Sequence, residues 1–103
     1  MKPDAIIRVR FKKAEDGGRQ GPIVIGRILY GCALVVDGAS FDCRLLISEQ
    51  TLELGESYEL PVKFLSSDLA LPRLSRGTSL SLWEGKDIAT GEVVRLAGTR
   101  RMK

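Results

Sequence analysis

The stretch DAIIRVRFKKAEDGGRQGP, residues 4–22, alternates and then turns. Ala5, Ile7, Val9 and Phe11 fall on one face of an extended chain, Arg8, Arg10 and Lys12 fall on the other, and Ile6 is the apolar exception. Successive side chains of a strand point to opposite faces, so this period of two predicts a strand half-buried against a core. Gly17 and Gly18 close it, because glycine takes up backbone angles that a Cβ resists. The glycines and Pro22 then predict a long loop as far as Gly26.

The same pattern recurs along the chain. Cys32 to Val36 and Phe41 to Ile47 are apolar runs around Asp37-Gly38-Ala39-Ser40, a hairpin signal because glycine tolerates the positive φ of such turns. Pairing Val36 with Phe41 sets Leu34 against Cys43 and Cys32 against Leu45, with all six on one face. The two cysteines are then diagonal neighbours, near enough to oxidise but not an obvious native bridge. A turn at Leu54-Gly55-Glu56 leads into a strand from Ser57 to Phe64 whose Tyr58, Leu60, Val62 and Phe64 share a face. Pro61 lacks an N–H, which predicts an edge or a bulge there. Residues 65–77 read as irregular. Thr78 to Glu84 forms another strand, with Leu80 and Leu82 on one face and Trp83 on the other, and Ala89 to Leu96 forms the last. No segment carries ten residues at helical period. The expectation is an all-β fold, a single small antiparallel six-stranded β-barrel over about residues 4–97 with a basic tail at 98–103, because closure removes exposed strand edges.

A chain of 103 residues that is 44% apolar suits one domain with one core. Its net charge of +3 permits an anionic partner without requiring one. Charges interrupt the apolar N-terminal stretch, so the expectation is neither a signal peptide nor a membrane span, and the cytoplasm is the default compartment. Cys32 and Cys43 lack the spacing of a metal or redox motif, and the chain has no histidine, so no metal or cofactor is expected and the thiols read as structural. A histidine base is lacking, no serine has a base and an acid at recognisable spacing, and the phosphate loop GxxxxGK[ST] does not occur. These point to a non-catalytic module that binds no nucleotide.

Two runs carry a resemblance. Glu15-Asp16-Gly17-Gly18-Arg19-Gln20-Gly21-Pro22-Ile23 resembles the EEGGRHTPF turn of the C-terminal, third β-barrel domain of translation elongation factor Tu, and Gly26 matches the glycine that opens the family's GYRPQF. Leu54-Gly55-Glu56 resembles its PGD turn, and residues 76–94 are similar to its GLRFAIREGGRTVGAGVV. The likeness covers roughly residues 4–97 and implies a six-stranded barrel. In the family, one side of this domain contacts the T-stem backbone of aminoacyl-tRNA. Carried over by position, Arg19, Glu84 and Gly85 are kept. The family's contacting glutamine falls at Tyr30 and its threonine at about Ala39. Its arginine before the glutamate is Trp83, and the next glycine and arginine are Lys86 and Asp87. Phosphate and 2′-hydroxyl contacts need donors in fixed places, so these replacements imply a barrel kept with a changed partner.

The candidate partner-binding residues are therefore Arg19, Tyr30, Trp83, Glu84, Gly85 and Lys86. Arg19 can fork onto a phosphate, or serve a chain reversal by pairing with Glu15 or Asp16. Trp83 can stack a base or anchor a protein, or form a lid over one end of the barrel. Tyr30 can act likewise, with Gly31 marking a bulge that re-aims it. Arg8, Arg10 and Lys12 form either a nucleic-acid stripe or a solvated strand face. A protein partner is the first expectation and RNA the alternative.

Overall fold

The computed structural model describes residues 2–96, so the tail expected at 98–103 and residue 97 lie outside it. Eight strands run in order as β1 Ala5–Phe11, β2 Ile23–Ile25, β3 Tyr30–Val36, β4 Ala39–Leu45, β5 Gln50–Leu52, β6 Ser57–Phe64, β7 Ser79–Trp83 and β8 Asp87–Leu96. One helical turn, α1 Ser67–Ala70, precedes β7. Six strands close into an antiparallel barrel in the order β1-β6-β4-β3-β7-β8, and β2 pairs with β5 in a separate two-stranded ribbon.

The alternation in β1 places its side chains as expected. Ala5, Ile7, Val9 and Phe11 are at most 1% exposed and join Leu34, Leu45, Leu60, Leu82 and Val93 in one core. Burial of such apolar surface, at about 25 cal/mol per Å2, is the main force holding the barrel closed. β1 lies between β6 and β8, with Arg8 opposite Glu59 on one side and Glu92 on the other. A register shift between Ile6 and Ile7 in the β1–β8 pairing leaves Val94 as an extra residue. At the strand's start, the buried Asp4 carboxylate accepts the Phe64 N–H at 2.9 Å and the Lys63 ammonium at 3.2 Å.

Several details differ from the sequence expectation. The β3–β4 hairpin turns on two residues, not four: Val36 pairs with Ala39, Leu34 with Phe41 and Cys32 with Cys43. Asp37 and Gly38 both take positive φ, 49° and 78°, as a two-residue hairpin turn of matching twist requires. The cysteines are therefore directly opposed rather than diagonal. Within the loop expected before Gly26, residues 14–16 form a 3-10 turn and Ile23–Ile25 forms β2, which buries Ile23 and Ile25. Pro61 forms no bulge and marks a local edge, as its missing N–H predicts. It sits opposite Ile6 in an unbroken β1–β6 register, and its carbonyl accepts the Leu46 N–H at 2.8 Å where the β4–β6 ladder ends. Gly31 likewise lies in regular pairing with Arg44, and a Cβ there would meet the Arg44 guanidinium at 2.6 Å. The strand does not bulge there, and a Cβ would meet only the movable end of the Arg44 side chain.

Candidate functional site

The β7–β8 turn gathers the candidates. Trp83 ends β7 opposite Ala33, and the register shifts between Leu82 and Trp83, so that Trp83 pairs with Asp87 while Leu82 pairs with Ala89. Glu84, Gly85 and Lys86 form the turn itself; the Glu84 N–H donates to the Lys86 carbonyl at 2.9 Å, and Gly85 supplies the positive φ of 76°.

Arg19 and Tyr30 converge on this turn from elsewhere in the chain. Arg19 Nη1 donates to Glu84 Oε1 at 2.6 Å and to the Tyr30 hydroxyl at 3.2 Å, while its Nε donates to the Gly21 carbonyl at 3.2 Å. The Tyr30 hydroxyl donates to the second Glu84 oxygen. Arg19 thus pairs with Glu84, 65 residues away, and not with Glu15 or Asp16 beside it. Burial, and then the hydrogen bond that the hydroxyl donates to the Glu84 carboxylate, raise the Tyr30 phenol well above the ordinary tyrosine range. The three side chains tie the loop after β1 and the start of β3 to the tip of the β7–β8 hairpin. These contacts engage Nε and Nη1 of Arg19, whose side chain is only 29% exposed.

Trp83 remains open. It is 46% exposed and faces outward, away from Leu80 and Leu82, so it is not a lid over the barrel end. On one side of it lies an open groove of about 580 Å3 bounded by Ile28, Gly31, Arg44 and Glu84. A smaller one of about 310 Å3 lies beside Trp83, Val35 and Asp87. Ile28 is 88% exposed and shares the larger groove. Alternation revealed that Trp83 faces outward, but nothing in the sequence brought Ile28 or Arg44 to it. Arg44 enters through the β3–β4 pairing and Ile28 through the bend before β3.

The basic stripe is divided. Arg8 is held by two carboxylates, Glu59 at 2.7 Å and Glu92 at 3.5 Å. Arg10 Nε donates to the Gly55 carbonyl at 3.1 Å. Lys12 lies just beyond β1, its backbone N–H bonded to Ile88 at 2.9 Å. Sequence reading missed Arg76 and Arg95, which share with Arg8 and Glu92 an open groove of about 600 Å3. Arg95 comes to this face through its pairing with Ile6, which required the β1–β8 register.

Compared with models of known protein families and with curated proteins, the chain matches none. Among the described residues, no helix is long and apolar enough to cross a membrane.

Proposed function

We propose that the protein is a non-catalytic binding module of the cytoplasm that docks a protein partner on the face around Trp83. The observation that carries this reading is an exposed tryptophan that lines one groove with an exposed isoleucine and a second groove with Asp87, next to a turn whose shape is braced by Arg19, Tyr30 and Glu84. Aromatic anchors presented on a rigid support dominate protein interfaces, because little side-chain entropy is lost on docking. The resemblance to the elongation factor Tu barrel supports the same reading. Its two glycine turns, at Gly17-Gly18-Arg19 and Glu84-Gly85, meet here through the Arg19–Glu84 ion pair. The test is a pull-down from native lysate with wild type and Trp83→Ala, each with and without RNase. Protein that binds wild type after RNase and is depleted at least tenfold by Trp83→Ala supports the reading; equal recovery on both baits sinks it.

RNA is the second reading. The groove that joins Arg8, Arg76 and Arg95 favours it, since guanidinium groups fork onto phosphates. Phosphate contacts are strongest at low salt, so an absence of tRNA binding there rules it out.

A further inference from the structure

The hairpin register brings Cys32 and Cys43 face to face on adjacent strands, with their sulfurs 3.9 Å apart. Residues opposed in an antiparallel pair have Cα atoms about 4.5–5.5 Å apart, inside the roughly 4.4–6.8 Å window of disulfides. Both are free thiols. Bridging them needs the sulfurs to close to about 2.05 Å, a side-chain rotation with no change in strand pairing. Cys43 is fully buried, whereas Cys32 is half-buried and borders the groove beside Trp83. Cys32 is thus the more accessible of the two thiols, and Cys43 lies beside it in the core.

We propose that Cys32 and Cys43 form a reversible cross-strand disulfide by exchange with a small disulfide of the glutathione type. The Cys32 thiolate attacks one sulfur of the oxidant and expels one glutathione thiolate, which takes up the proton that Cys32 lost. Cys43, losing its proton in turn, attacks the Cys32 sulfur and releases the second glutathione. Two protein thiols give up two electrons, and one glutathione disulfide becomes two glutathiones. The contact with Cys43 and burial both hold the Cys32 thiol above the ordinary range, so thiolate is scarce and exchange is slow.

The bridge lies directly behind the docking face. Gly31 and Ala33 flank Cys32, Asp42 and Arg44 flank Cys43, and these four form the floor of the groove next to Trp83. Oxidation therefore staples the two strands that carry that floor. Trp83 is the only tryptophan in the chain, so its emission reports the change.

The experiment equilibrates the full chain in glutathione buffers from reducing to oxidising, quenches it in acid, and alkylates the remaining thiols under denaturing conditions before intact-mass measurement. The expected product is monomeric, takes no alkylating reagent, weighs two hydrogens less than the reduced chain, and returns to it with dithiothreitol. Cys43→Ala, checked for folding by circular dichroism, stops as a single glutathione adduct on Cys32, and Cys32→Ser stays unreacted. Two alkylated thiols in the most oxidising buffer, disulfides only between chains, or wild type halted at one glutathione adduct would each overturn the proposal. A disulfide that leaves Trp83 emission unchanged would overturn the link to the groove. No partner enters the experiment, so its failure is separate from failure of the docking reading.

Discussion

Arg19 and Arg8 are both arginines paired to glutamates distant in the chain, yet they act differently. Arg19 meets Glu84 with a side chain 29% exposed and shares that carboxylate with a tyrosine hydroxyl, so three groups from distant parts of the chain fix one another. Arg8 meets Glu59 and Glu92 with all three side chains about half exposed. Water and salt screen such a pair, and holding long side chains still costs entropy, so surface pairs contribute about 0–1 kcal/mol. The first arrangement shapes a turn. The second spreads charge over a sheet whose backbone is already held.

The largest effect expected from that contrast lies in the backbone beneath Arg8. A Cβ at Gly91 would stand 1.8 Å from the Arg8 carbonyl oxygen and 2.7 Å from Val9 Cα. Neither atom can swing away, so Gly91→Ala should cost about 3 kcal/mol or more, read as a lowered denaturant midpoint. A change under about 1 kcal/mol would mean that β1 and β8 separate easily there. Next comes Glu84→Ala, which leaves the Tyr30 hydroxyl and Arg19 without their carboxylate. A loss of about 1–2 kcal/mol is expected, discounted for the partial exposure of Glu84.

The same substitution should move Tyr30 ionisation, followed by ultraviolet absorbance, part of the way back towards the ordinary tyrosine value; burial, the larger cause, remains. Because the folded state holds this proton more tightly than the unfolded state, the stability it contributes is complete below about pH 10 and falls away as the pH rises further. Wild type should lose more stability than Glu84→Ala across that alkaline range. The smallest effect is Arg8→Ala, at about 0.5 kcal/mol or less and vanishing near 1 M salt. A larger, salt-resistant loss would place Arg8 alongside Arg19.

The β3–β4 hairpin shows how far sequence reading reached. Its apolar run identifies the hairpin and its inward face, but two registers differing by two residues put the same side chains inward. Only a one-residue slip flips the faces. The choice between diagonal and opposed cysteines was therefore invisible, and it is the choice on which their chemistry depends. β2 and β5 escaped for another reason. They are three residues each, shorter than any periodic signal, and β2 sits amid turn residues with Val24 exposed. Pro61 was legible, because its missing donor falls where the β4–β6 ladder ends. Of the candidate site, Trp83 was legible from parity alone. Arg19 was legible as a residue, but its partner was not, since local carboxylates hid one on the far hairpin.

Composition and alternation alone settled that this chain is all-β, which faces turn inward, and where glycine must bend it, because those are properties of single strands and turns. Closing the barrel settled the rest: the Cys32–Cys43 opposition, the Arg19–Tyr30–Glu84 cluster, and the meeting of Ile28 with Trp83. Each depends on register and on contacts between distant segments, where packing one strand against another selects among pairings that local preference leaves equal.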